Sequence, residues 1–164
     1  MLSTSLRNLA RAALVACALA TVAAPARSAE TLGSYGLWTS VVSGSSRDRV
    51  CGVRTEMTRG GSVSLAMRNG KVHLLLWHPR WDFARGDQIR LSVDVDGRGF
   101  SGTGAAEDSM IVAENLSEAF LDAFLSGRRV EIDLAGRARW TLDLSGSRAA
   151  ARDMVRCAKG SRGI

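Results

Sequence analysis

The chain has 164 residues, 46% of them hydrophobic, and a formal net charge of +6, which suits one domain with a real core. Its basic residues are scattered over strands and turns instead of clustered, which argues against a dedicated nucleic-acid face. With 2 histidines and 3 cysteines, no metal and no cofactor site is expected.

The first residues, MLSTSLRNLARAALVACALATVAAPARSAE, set Arg7 and Arg11 before an uncharged run from Ala12 to Ala24 and then small residues. This is the pattern of an export signal. The run is too short for a bilayer, which needs roughly 20 apolar residues. Cleavage after Ala26 satisfies the small-x-small rule through Ala24 and Ala26, while cleavage after Ala29 would put Arg27 at a disfavoured position. Leu14-Val15-Ala16-Cys17 also fits the pattern that precedes a lipidated cysteine. Against lipidation, Ala12 to Ala16 is shorter than the roughly 7–15 apolar residues of a signal core. The expected organisation is a removable segment at 1–26, a single domain over 30–159, and a frayed tail at 160–164, in a periplasmic or secreted location. Loss of Arg7 and Arg11 leaves a mildly basic chain, for which weak peripheral membrane association is the most that charge supports.

Export carries Cys51 and Cys157 into an oxidising compartment, where a disulfide is expected. Two buried thiols, or a metal pair without nearby histidines, are the alternatives. A bridge would tie an early strand to the last helix, and chain entropy credits so long a loop with about 4–5 kcal/mol.

Tyr35 to Val42 reads as a first strand, Ser43 to Arg49 as a loop, and Cys51 to Thr58 as a second strand whose Cys51, Val53, Thr55 and Met57 share one face. Ser62 to Phe100 reads as the sheet core. There, Val63, Leu65 and Met67, then Val72, Leu74 and Leu76, then Ile89, Leu91, Val93 and Val95 alternate as strands with one buried face do. Asn69-Gly70 and Asp96-Gly97 supply the positive φ angles of two-residue hairpin turns. Beyond Phe100, SGTGAAEDS reads as a loop and Met110 to Ala113 as a short strand. Asn115 is the expected helix cap, with Glu118 completing a capping box, Phe120, Leu121, Phe124 and Leu125 forming the apolar stripe, and Gly127 ending the helix. Val130, Ile132 and Leu134 form the next strand, Ala135-Gly136 a turn, and Ala138 to Leu144 the last strand. A closing helix from Ser145 or Ser147 sets Ala150, Met154 and Cys157 on one stripe. The fold expected is mostly β: an antiparallel β-sandwich or small barrel of about nine strands with two short α-helices.

The candidate ligand-binding set is Trp77, His78, Arg80, Trp81 and Asp82, in a segment joining two strands. Flat rings beside hydrogen-bonding groups can hold a sugar or peptide. The competing reading makes Trp77 a strand end and folds Trp81 and Phe83 back as a core plug. His73 and His78 lie five apart on or beside one strand and face opposite ways, so they cannot share a metal. No serine sits in a nucleophile elbow, and no catalytic residue is assigned. Asp94 with Asp96, and Glu131 with Asp133, are two apart on strands and read as a solvated outward row. Arg85-Gly86-Asp87 matches an adhesive tripeptide, but Gly86 also falls where a turn needs glycine.

The order of parts resembles the bacterial invasion-associated locus B family of exported β-sandwich proteins. The resemblance is carried by GLWTSVV with Trp38, CGVRTEM at Cys51, FARGDQIRLSVDVDG, AFLDAFLSGRRVEI and LDLSGSRAAARDMV. It departs from the family at Val42, where members usually carry a cysteine, and at Cys157 in the last helix. The resemblance implies a periplasmic or envelope protein associated by name with host-cell entry, with no established catalytic residues to carry over. The function expected is that of a non-enzymatic binding or accessory factor whose envelope or host protein or glycan partner the chain does not identify. Two rivals are an inhibitor of an envelope-degrading enzyme such as lysozyme, and a carbohydrate-binding enzyme using residues 77–83.

Overall fold

A computed structural model describes residues 29–45, 48–58 and 60–160. The expected export signal with Cys17, both expected cleavage positions except Ala29, the turn residue Arg59 and the tail beyond Gly160 lie outside the described residues. The protein is mostly β, as the alternating runs require. One sheet takes ten strands in the order β1-β2-β3-β4-β5-β8-β7-β6-β9-β10, every neighbouring pair antiparallel. The strands are β1 (Glu30–Tyr35), β2 (Trp38–Ser43), β3 (Val50–Met57), β4 (Gly61–Arg68), β5 (Lys71–Trp77), β6 (Gln88–Val95), β7 (Arg98–Glu107), β8 (Met110–Ala113), β9 (Arg129–Asp133) and β10 (Arg139–Asp143). Two helices complete the chain, α1 (Glu118–Ser126) and α2 (Ser147–Gly160). The sheet is not closed into a barrel: β1 pairs only with β2, and β10 only with β9.

The turn dipeptides act as their chemistry demands. Asn69 and Gly70 have φ of 52° and 78°, and Asp96 and Gly97 have 50° and 85°, the left-handed pair of a type I′ hairpin. The inward residues of β3 to β6 pack the core, with Val53, Val63, Leu65, Leu74, Leu76, Leu91 and Val95 all buried. Each such side chain contributes about 1.5–3 kcal/mol of hydrophobic stabilisation.

Three expectations need correction. Tyr35 to Val42 is not one strand but the meeting of two, because Gly36 at φ 63° turns the chain and pairs Tyr35 with Trp38. The segment after Phe100 is not a loop. It continues β7, paired to β6 from Arg98 to Ala105 and to β8 from Ala105 to Glu107. Its glycines hide the alternation, and at Gly104 glycine is needed, since a Cβ there would sit 3.2 Å from Val112 O and closer still to the Ile111 side chain. Third, α1 is capped by Ser117, whose hydroxyl accepts the Phe120 N–H at 3.1 Å, while Asn115 lies outside the helix with φ 56°. The capping box expected from Asn115 and Glu118 therefore does not form. Gly127 ends the helix as expected, donating to Ala123 O at 2.7 Å.

The two helices contribute to the same hydrophobic core as the strands. Rings run in a chain of near-perpendicular contacts, Phe100 to Phe120 at 5.4 Å and Phe124 to Trp38 at 5.5 Å, with Phe120 and Phe124 5.7 Å apart. Such edge-to-face pairs link β7, α1 and β2. The Trp38 indole donates to Asp143 O at 2.9 Å, bringing β2 beside β10. In α2 the small buried residues Ala150 and Ala151 allow close approach to β1 through β4. Cys157 in α2 is bridged to Cys51 in β3, with Cα atoms 6.0 Å apart across a sequence separation of 106. Reducing this bridge, or replacing both cysteines by serine, is expected to lower stability by about 2–5 kcal/mol. Urea denaturation of the oxidised and reduced protein checks it, and coincident midpoints would refute a stabilising bridge.

Candidate functional site

The aromatic segment proposed from the sequence is a strap joining β5 to β6 across the β7–β8 hairpin. Trp77 closes β5 opposite Ser62 and Met110, and its indole donates to Ser109 Oγ at 3.1 Å. His78 N–H reaches Ser109 O at 3.1 Å, Trp81 N–H returns to His78 O at 3.1 Å, and Phe83 N–H reaches Asp108 O at 3.4 Å. His78 Nδ1 accepts the Arg80 N–H at 3.2 Å, which fixes the ring against its own turn. Trp81 is half-buried, its ring 5.7 Å from His78, 5.5 Å from Phe83 and 5.6 Å from Trp140. Arg80 and Asp82 are exposed, alternating with these inward residues. The five candidates thus sit together in sequence but divide in space: Trp81 packs against the core, Trp77 and His78 are half-buried and tied to Ser109, with Trp77 on the face of β5 opposite buried Leu76, and the two charges point outward. The rings of Trp81, Phe83 and Trp140 pack against the hydrophobic core, the arrangement of a plug at the end of the sheet.

The remaining sequence candidates have structural partners. His73 of β5 has its Nδ1 3.7 Å from Oε1 of Glu114, the residue after β8. Arg85 pairs with Asp108 at 2.9 Å. Gly86 has φ 90° and donates to Ala106 O at 2.8 Å, so the Arg-Gly-Asp tripeptide is stitched to β7. The outward carboxylates do more than face solvent. Asp96 accepts N–H groups of Arg128 at 2.8 Å and Arg129 at 3.1 Å, anchoring the start of β9. Those bonds, that of Arg128 foremost, hold its pKa below the ordinary value. Asp133 accepts the Gly136 N–H at 2.8 Å, which with the Arg139 guanidinium lowers its pKa and pins the β9–β10 turn. Among the described residues, no group of three His, Cys, Asp or Glu side chains is placed to hold a metal ion.

One polar cluster had no signal beyond an Asp and an Arg three apart in the last helix. Asp153 of α2 is 9% exposed. It accepts the hydroxyl of Tyr35 in β1, is paired with the Arg156 guanidinium, and lies 3.5 Å from the hydroxyl of Ser40 in β2. The Tyr35 bond is the chief cause holding the Asp153 carboxyl below its ordinary value, with Arg156 next, against burial, which acts the other way. The same bond raises the Tyr35 phenol. Beside the cluster is a cleft of about 820 Å³ whose lining includes Arg49, Arg156 and Cys157. An ionised, fully engaged carboxylate and an un-ionised phenol make a poor proton-transfer pair at neutral pH. The cluster instead clasps the β1–β2 hairpin to α2.

A second cleft, of about 610 Å³, lies where the open sheet nearly meets itself, between Thr55 to Thr58 at the end of β3 and Arg139 to Asp143 of β10, with Leu37 at its rim. Leu37 is 67% exposed, unusual for a large apolar side chain. The candidate residues of the 77–83 strap do not line this cleft, although Trp81 touches it through Trp140. No protein-family model, curated protein or solved structure matches the chain.

Asp153 provides a pH test. Because its folded-state pKa lies below the unfolded one, the unfolded chain takes up the proton first, so its stabilisation is complete above the ordinary value of 3.8 and is lost as pH falls through the lower folded value. The stability difference between the native protein and Asp153→Asn should shrink between about pH 7 and pH 3, as read from urea midpoints. A difference independent of pH over that range would exclude the clasp as a charged one.

Proposed function

We propose that this chain is an exported periplasmic or envelope protein of the invasion-associated locus B type, acting by binding a partner and not by catalysis. One observation carries the reading. The Cys51–Cys157 bridge joins strand to helix in a chain that begins with an export-signal pattern, and such bridges persist in oxidising compartments. Three polar residues of the described clefts add support, because Asp153, Arg139 and Asp143 are committed to hydrogen bonds inside the fold. The inward packing of Trp81 favours an accessory role over a carbohydrate-processing one, since three neighbouring rings compete for the surface a sugar would stack on.

The test is expression of the full chain with a small C-terminal tag in a bacterium, followed by osmotic fractionation and mass spectrometry. The expected product is found in the periplasmic fraction, begins after Ala26, and has both remaining cysteines oxidised. Envelope extract passed over that product should leave a bound partner, and over the reduced form less of it. A cytoplasmic product with free thiols would overturn the proposal.

A further inference from the structure

The sheet has two free margins, and they differ. On β1 the register shifts between Thr31 and Gly33, a bulge that spoils an edge for further pairing. On β10 the pairing with β9 is regular throughout. Leu144 N–H donates to Arg128 O at 2.8 Å and Leu134 N–H to Ala138 O at 2.9 Å. Hydrogen-bonded pairs alternate along an antiparallel ladder, so Trp140 and Leu142 turn their main-chain groups to β9. Arg139, Thr141 and Asp143 turn theirs to the free margin. The bond from the Trp38 indole to Asp143 O agrees with that parity.

This margin faces a second one. Strand β2 pairs with β3 only as far as Thr39 opposite Arg54, whereas β3 runs on beside β4 to Met57. Thr55 to Met57 therefore overhang with a strand on one side only. Overhang and β10 margin line the same cleft of about 610 Å³. Its apolar surface comes from exposed Leu37, half-buried Trp140 and Leu142, and Met57. Its charged side chains are already engaged: Glu56 with Arg54 at 2.7 Å, Arg139 with Asp133 at 2.8 Å, and Asp143 with the Ser145 N–H at 2.7 Å. A site whose margin offers outward main-chain donors and acceptors, apart from Asp143 O held by the Trp38 indole, with apolar side walls and charges already paired, selects an extended, uncharged chain with apolar residues at alternate positions.

We infer that this cleft takes up such a peptide segment from a partner protein, paired through its main chain to the Arg139–Asp143 margin. The inference deepens the binding role proposed above and names the chemistry of the partner. It does not depend on the cellular compartment.

The test uses the oxidised protein and capped peptides of about six residues, a usual strand length, with Val or Leu alternating with Ser or Thr. Thr141→Pro removes the one N–H at the centre of the margin, and proline is tolerated where a strand's N–H faces outward. Binding, followed by calorimetry, should weaken about tenfold or more in Thr141→Pro, the loss expected for one main-chain bond and its neighbours, and persist in Thr141→Val. Amide exchange at Thr141 should slow when peptide is bound. Should the proline variant fail to fold, peptides N-methylated at successive positions provide the second measurement. Methylation should abolish binding at every other position and leave it intact between. Equal binding by the proline and valine variants, or a methylation effect without alternation, would overturn the inference. Concentration-dependent self-association through β10 without peptide binding would assign the margin to a second copy of the chain, and also overturns it. Failure to bind any such peptide ends the inference and leaves the exported-protein proposal standing, because that is judged by location and thiol state.

Discussion

The seating of α2 against β1 through β4 is the constraint on which the rest of this protein depends. An open sheet of ten strands has no geometric closure to hold its curvature, so something must fix one part of it against another. Two kinds of tie do so. At one end of α2 a covalent bond joins Cys157 to Cys51. One turn earlier, the Asp153 carboxylate gathers Tyr35, Ser40 and Arg156. Ser40 also donates to Ala150 O at 3.1 Å. Ala150 and Ala151, just before Asp153, are buried and allow the helix backbone to approach closely, which larger side chains would prevent. Sulfur and carboxylate act on different strands, so together they define the orientation of the helix as well as its distance.

Holding the first strands against α2 has a consequence at the far margin. The β1–β2 turn comes close to the junction between β10 and α2, where Gly146 has φ 93° and a side chain would collide with the Tyr35 backbone. Trp38 then reaches Asp143. The sheet thus approaches closure at one end of β10 only. Along the remainder of that strand the margin away from β9 has no strand partner and faces the overhang of β3. The bridge, the clasp and the open cleft are in this sense one feature, produced by the same placement of α2.

The aromatic strap has a different role from the one its composition invites. Rings in a connecting segment are attractive as a ligand platform, yet here Trp81 stands among His78, Phe83 and Trp140. Burying such rings removes more apolar surface from water than any other residue type allows. The strap thereby covers the core where β5 leaves the sheet, and it buttresses Trp140 on β10. Its link to binding is support for the cleft, carried by one ring contact.

Alternating Val, Leu and Ile side chains and the Asn69-Gly70 and Asp96-Gly97 turns determined, from the sequence, that this is an antiparallel β protein with β4 to β6 at its core and a cysteine in β3 facing inward. Period and positive φ are local properties, set within a few residues, so they can be read from neighbours in sequence. Where local signal was weak, reading failed: glycine-rich β7 shows no alternation, and Gly36 splits an apparently continuous strand. Asn115, expected as the cap, gave way to Ser117, whose hydroxyl accepts the Phe120 N–H. Tertiary structure alone decided that β8 inserts between β5 and β7, that Asp153 meets Tyr35 across 118 residues, and that β10 ends the sheet with its margin open. Those outcomes depend on which distant edges come together, and residues carry no mark of a partner they meet only after the sheet has curled.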